Sequence, residues 1–214
     1  MNQEPMIEKN EQPSDITPEK QDHHSFSAAL FEYVELFAWA VFVVMVVFTF
    51  GFRICRVEGP SMENTLKQDQ TLLLRSAFYA PKQDDIIVFH LTENMDKTLV
   101  KRVIALGGQE VVIDTNTKTI TVDGEVYADT HKVLKDPYSD VVNNIYNTAL
   151  FSSVQFSILS NGVYRTTVPE GHVFVMGDNR NNSNDSRGPS VGFVDERCIL
   201  GGVMLRFSPF TVFH

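Results

Sequence analysis

One stretch of the chain is apolar without interruption. From Leu36 to Phe52 the residues LFAWAVFVVMVVFTFGF carry no charge. As a helix rising 1.5 Å per residue they reach about 25 Å, near the lower limit for crossing a bilayer. Tyr33 and Val34 can lengthen the span, and Glu32, Glu35 and Arg53 mark its ends. A core helix rarely stays apolar on every side for this long. A cleavable signal peptide needs a short basic start and a small-residue cleavage site, whereas here a long acidic stretch precedes and GFRICRVEG follows. The pattern therefore predicts an uncleaved transmembrane anchor over residues 29–53. Residues 1–28 are polar and acidic, are broken by Pro5, Pro13 and Pro18, and have no hydrophobic period. They read as a disordered tail.

Beyond Arg53 the pattern changes to short runs rich in Val, Ile, Leu and Phe. QTLLLRSAFYA, DDIIVFHL, TLVKRVIAL, QEVVI, KTITVDGEVYA, HVFVMG and ILGGVMLRF predict strands. Turn signals lie between them, at Asp123-Gly124, Asn161-Gly162 and Pro169-Glu170-Gly171-His172. TITVDGEVYA predicts a hairpin, with alternating strands around Asp-Gly. Residues 129–165 are more polar and less regular and read as a surface lobe or insertion. The expectation is a mainly β domain behind one membrane helix.

The formal net charge is -9 and the pI near 5.1, which argues against nucleic acid as a partner, because no overall basic field is present to hold phosphates. The two cysteines, Cys55 and Cys198, make neither a disulfide framework nor a metal site. They form either one bridge or two buried thiols, so the redox compartment stays open. None of the six histidines has metal-ligand spacing with another histidine or acid. No metal or cofactor is implied. No GxSxG elbow, P-loop or dinucleotide fingerprint occurs. His90 follows a strand and reads as a surface or core histidine.

Three clusters can carry chemistry. In Val57-Glu58-Gly59-Pro60-Ser61-Met62-Glu63-Asn64-Thr65-Leu66, Gly59 and Pro60 mark a bend at Ser61. A nucleophilic serine needs such a place, where its hydroxyl is exposed and backbone N–H groups can face an oxyanion. On this segment alone an ordinary turn serine fits equally well. In Thr98-Leu99-Val100-Lys101-Arg102-Val103-Ile104 a lysine sits among apolar residues. Strand alternation places Leu99, Lys101 and Val103 on one face. If that face is inward, burial lowers the amine's pKa from about 10.4 towards neutrality and makes it a base. If it is outward, Lys101 is a solvated edge residue beside Arg102. The third cluster is the loop Gly177-Asp178-Asn179-Arg180-Asn181-Asn182-Ser183-Asn184-Asp185-Ser186-Arg187-Gly188, dense in groups that make hydrogen bonds at fixed positions.

Taken together and in this order, these clusters resemble the type I signal peptidases, or leader peptidases, over roughly residues 55–207 plus the preceding anchor. The matching motifs are Ser61-Met62, Lys101-Arg102-Val103-Ile104 and the loop from Gly177 to Arg187, the last being the most specific. Lys101 marks the branch that uses lysine where others use histidine. The resemblance implies a serine endopeptidase that removes signal peptides from exported preproteins, cutting after small residues. In it Ser61 is the nucleophile and Lys101 the general base. Ser183 hydrogen-bonds and orients the lysine, and Asp185 pairs with Arg187 to hold the loops. The Ser61 N–H forms part of the oxyanion hole. Val57, Met62, Leu66 and Val100 line the pocket for the residue before the cut. The implied fold is a catalytic domain of coiled antiparallel β-sheets over residues 54–214, with a small cap inserted at about 113–165.

The chain departs from the family pattern at several positions. Gly59 replaces a serine that some members use as a second oxyanion donor, Asn64 stands for proline, Asp84-Asp85 for Gly-Asp, and Gly107 for a common proline. These touch loop shape, not the reacting groups. The resemblance implies a cytoplasmic tail, a single anchor and a catalytic domain outside the cell membrane, facing the lipid bilayer and near the export machinery. Arg53 and Arg56, just after the span, point weakly the other way. Two other functions compete. A self-cleaving repressor needs a DNA-binding domain where this chain has its apolar span. A membrane-tethered, non-enzymatic β-domain leaves the lysine and the Ser/Asp/Arg loop without a reason.

Overall fold

The long uncharged run folds as one helix because every backbone N–H and C=O is then satisfied without water. In the computed structural model, which describes residues 26–63, 65–91, 97–128, 156–180, 182–188 and 190–213, this helix is α1, Phe26–Gly51. Its Leu30–Gly51 portion has a mean hydropathy of 2.2 and no buried residue, so by length and composition it can cross a membrane. The chain divides within α1 into two units, residues 1–43 and 44–214. The expected tail falls outside the described residues up to position 25. Phe52 and Arg53, grouped with the anchor by their apolar context, instead begin a strand. Gly51 ends the helix, and its carbonyl accepts hydrogen bonds from the N–H groups of Ser76 and Ala77 at 2.9 and 3.5 Å.

The remainder is antiparallel β structure. Its strands are β1 (Phe52–Arg56), β2 (Thr71–Arg75), β3 (Ile86–Leu91), β4 (Lys97–Leu106), β5 (Glu110–Asp114), β6 (Thr119–Val122) and β7 (Glu125–Val126). They continue with β8 (Ser157–Ser160), β9 (Val163–Thr167), β10 (His172–Met176), β11 (Val194–Asp195), β12 (Ile199–Arg206) and β13 (Thr211–Val212). One sheet runs β1-β2-β12-β3-β4-β10-β11, with β13 on β12; a second runs β7-β6-β5-β9-β8. The Asp123-Gly124 hairpin forms between β6 and β7, with both residues at positive φ, 51° and 83°, as a tight two-residue turn requires.

Part of the segment that reads as irregular is strand. Ser157–Ser160 and Val163–Thr167 pair around Asn161-Gly162, with Gly162 at φ 82°. Polar outward residues mask the alternation there, since Tyr164 and Thr166 alone are buried in β9. The rest of the lobe, residues 129–155, lies outside the described residues.

Strand β4 matters most for the site. It pairs Ile87 with Lys101 on one side and Met176 with Arg102 on the other. A strand with neighbours at both edges and packing on both faces buries consecutive residues. Positions 101–105 are accordingly buried without a break, the two cations included.

Candidate active site

The bend at Ser61 is built by backbone geometry. Gly59 adopts φ 81°, in the left-handed region open to glycine without penalty. The Glu63 N–H then donates to Pro60 O at 3.1 Å and the Leu66 N–H to Met62 O at 2.8 Å. Met62 and Leu66 drop into the core, which leaves Ser61 at the surface of the turn and half-buried. Among the described residues the Ser61 N–H has no hydrogen-bond acceptor.

Lys101 reaches this serine from β4. Its Nζ lies 2.8 Å from Ser61 Oγ and 2.9 Å from Val100 O. Lys101 pairs with Ile87, and Leu99 and Val103 flank it along β4; all three belong to or pack against one apolar cluster. With 2% of its surface exposed, the amine is poorly solvated, and burial lowers its pKa to about 8. Asp185 raises it and Arg187 lowers it again, in a smaller balance of charges. An amine of this kind has a far larger neutral fraction near neutral pH than an ordinary lysine and in that form can accept a hydroxyl proton. Both open readings of Lys101 are thereby resolved: its side chain is inside.

The loop after β10 cements the serine turn. The Asn179 N–H donates to Ser61 O at 3.0 Å, and Asn179 Nδ2 to Pro60 O at 3.0 Å. At Gly177 an added Cβ would lie 2.5 Å from Ser61 O and 2.2 Å from Ser183 Oγ, so no other residue allows this approach. The Gly177 N–H donates to Asp185 Oδ2 at 3.0 Å. Arg187 grips the Asp185 carboxylate with two bonds, Nε to Oδ1 at 2.7 Å and NH2 to Oδ2 at 2.8 Å. Burial pushes the Asp185 carboxyl up, but the Arg187 charge and hydrogen bonds outweigh it and hold the pKa below the usual carboxylate range.

Ser183 differs from its expected arrangement. Its hydroxyl is buried beside Gly177 without a well-formed hydrogen-bond partner, although it lies close enough to help keep Asp185 ionised. The bond expected from Lys101 is not made; the amine is directed at Ser61 and Val100 instead. Of the expected pocket residues, Val57, Met62 and Leu66 are buried members of one cluster, and only Val100, packed against it, is partly exposed. They form the floor beneath the serine turn more than an open wall.

Reading from residue types alone misses a buried ion pair next to the dyad. Arg102 donates from Nε to Asp178 Oδ1 at 2.8 Å and from NH2 to Asp178 Oδ2 at 2.7 Å, both groups being buried. Thr65 Oγ1 donates to the same carboxylate at 2.5 Å, and Arg102 NH1 to Asp84 O at 2.7 Å. Burial opposes the Arg102 charge, yet the hydrogen bonds to Asp178 raise its pKa above the ordinary value. The available signal was a second cation adjacent to Lys101 in an apolar strand, which needs a carboxylate partner. Asp84 sits at φ 73°, which explains why glycine suits this position. Its carboxylate accepts a hydrogen bond from Tyr127 in the second sheet's segment, and its N–H donates to Val103 O at 2.9 Å. These bonds hold an aspartate in a glycine-like conformation. Asn64 lies outside the described residues.

The thiols of Cys55 and Cys198 are free, and burial raises the Cys55 pKa to about 11. Among the described residues no group of three or more His, Cys, Asp or Glu side chains is placed to hold a metal. His90 contacts Thr98 at 3.1 Å and His172 the Glu170 carbonyl at 3.1 Å.

Residues 30–208 match the family model described as signal peptidase, peptidase S26. The chain is 34% identical over 163 residues to a probable signal peptidase I-1 of Synechocystis, covering 72% of this chain and 69% of that protein. It is 30% identical over 189 residues to signal peptidase IB of Staphylococcus aureus, covering 86% and 92%. A crystal structure of a signal peptidase I from Enterococcus faecalis superposes with a TM-score of 0.40 at 27% identity, covering 59% of this chain and 98% of that one. Matched over most of its length by both the family model and these relatives, the chain belongs to the signal peptidase family, peptidase S26.

Proposed function

We propose that this protein removes N-terminal signal peptides from exported preproteins through a Ser61–Lys101 dyad. The observation that carries the reading is the 2.8 Å approach of Lys101 Nζ to Ser61 Oγ at a buried amine with pKa about 8. Neutral Lys101 takes the Ser61 hydroxyl proton as Oγ attacks the scissile carbonyl. The oxyanion is met by the Ser61 N–H. Lys101 then gives the proton to the departing amine, leaving an acyl-serine. A water deprotonated by the same amine releases the acyl group and regenerates Ser61. Val100, above the floor of Val57, Met62 and Leu66, bounds a shallow apolar pocket that favours a small residue before the cut. Asp185 and Arg187 brace the loop behind Ser61. The tail is cytoplasmic, α1 crosses the membrane, and the catalytic domain lies outside, near the export machinery.

The direct test is incubation of the full chain with a preprotein in detergent or lipid, followed by sequencing of the new N-terminus. A single cut after a small residue such as alanine is expected. No cut, or cleavage that ignores a bulky replacement just before the cut, overturns the reading. A membrane-tethered β-domain without activity has no use for a lysine buried against a serine.

Ser183 has a narrower role. Ser183, whose buried hydroxyl has no hydrogen-bond partner in the resting site, would turn to orient Lys101 once Ser61 Oγ attacks. Ser183→Ala is expected to lower kcat roughly tenfold, the worth of one buried hydrogen bond, with KM little changed. Wild-type turnover in steady-state assays refutes this role.

A further inference from the structure

Phe78, in the turn after β2, has its side chain fully exposed, at 106% of the reference value, and its backbone in the left-handed region at φ 52°. A bulky aromatic residue in that conformation is an outlier, sustained only where its surroundings over-determine it. The turn is pinned on both sides. Ser76 donates its N–H to Gly51 O at 2.9 Å and its hydroxyl to Leu200 O at 2.8 Å. Tyr79 donates its hydroxyl to Asp85 at 2.7 Å, lies under the Arg75 guanidinium, and packs so closely on Gly202 that an added Cβ would fall 2.4 Å from the ring. The ring of Phe78 therefore projects outward from a turn anchored on both sides.

What lies next to it identifies the partner. Gly51, which binds the two residues preceding Phe78, is the last residue of the apolar span. Phe78 follows Ala77 directly, so its Cα is within about 8 Å of that attachment. Phe50 is exposed there, and Phe52 packs its ring against Phe48 at 5.7 Å. Arg53 and Arg75, both exposed, stand beside this aromatic collar with stems long enough to keep their charges in water.

We propose that Phe78 is a second membrane contact, its ring inserted at the boundary of headgroups and acyl chains in the leaflet where α1 ends. The inference rests on the reading that α1 spans the membrane. A helix end alone leaves the domain free to swivel. A second contact set to one side of it fixes the domain's tilt, and with it the height of Ser61 above the lipid. The patch would then matter for substrates held in the bilayer and not for free peptides.

The test uses the full chain reconstituted in phosphatidylcholine–phosphatidylglycerol vesicles. The chain's single tryptophan is removed by Trp39→Phe, which keeps an aromatic ring in the span, and Phe78→Trp introduces the probe. Blue-shifted emission, quenched by lipids brominated near the headgroup, is the expected result. Emission typical of water that only aqueous iodide quenches overturns the proposal, as does lipid protection that arises only after a preprotein is added, which would assign the ring to substrate. Phe78→Asn, which keeps a residue tolerant of positive φ, is expected to lower cleavage of a full preprotein in vesicles about tenfold. Cleavage of a short peptide in detergent should be unchanged. Equal loss on both substrates overturns the membrane role, whereas a wild-type chain inactive on both defeats the peptidase reading and not this one.

Discussion

Alanine at Lys101 is expected to abolish cleavage, by on the order of 10⁴-fold or more in kcat/KM, and alanine at Ser61 to do the same. In the proposed mechanism the two groups, 2.8 Å apart, act as one unit, so losing either would remove nearly the whole effect. The domain should stay folded in both variants, because Ser61→Ala leaves the turn held by its backbone bonds to Asn179 and Glu63. Lys101→Ala removes a group that folding must desolvate. Its contribution to stability depends on pH. The Lys101 pKa falls from 10.5 to about 8 on folding, so the folded state disfavours the ammonium. As pH drops from 10.5 towards 8 the unfolded chain gains this proton first, and stability is lost over that window. In the proposed mechanism catalysis follows the same group. Below pH 8 the base is increasingly protonated, and kcat/KM should fall about tenfold per pH unit, levelling off above pH 8. A profile that does not fall as pH drops below about 8, or appreciable activity in Lys101→Ala, removes the dyad.

The second large effect is structural. Asp178→Ala leaves the Arg102 guanidinium buried without its carboxylate, and breaking such a pair costs about 3–5 kcal/mol. For a domain of this size that lowers Tm by roughly 10 °C or more, read by thermal unfolding in detergent. Asp178 precedes Asn179, whose side chain and N–H hold Pro60 and Ser61, and it also binds Thr65. Activity should therefore fall with stability. Replacing both partners with apolar residues, as in Arg102→Met with Asp178→Leu, should recover much of the stability because no unpaired charge remains. A Tm within about 2 °C of wild type for Asp178→Ala would place the pair outside the folding core.

Local pattern alone was enough for much of the architecture. Seventeen uncharged residues predict one long apolar helix, able to span a membrane because its backbone polar groups are satisfied internally, and α1 is that helix. Asp123-Gly124 between alternating strands dictates its hairpin because few residue pairs accept positive φ at both positions. An apolar run around Lys101 predicts a strand but leaves open whether the lysine faces inward or outward. The polar loop after Met176 could be singled out by composition, although Ser61 and Lys101 gained their pairing only through family resemblance. Their contact spans 40 residues, and the Arg102–Asp178 pair spans 76.

Tertiary structure decided the rest, since strand alternation tells which side chains share a face and is silent on what covers that face. Both faces of β4 are covered, so Lys101 and Arg102 are buried together, and each needs a partner from a distant segment. The same packing sends Met62 and Leu66 beneath the serine turn and leaves Ser183 without the bond assigned to it. Asp84 keeps a glycine's conformation only because Tyr127 and Arg102 arrive to hold it. Such contacts depend on the register of two sheets and the path of a loop, which no single segment of the chain encodes.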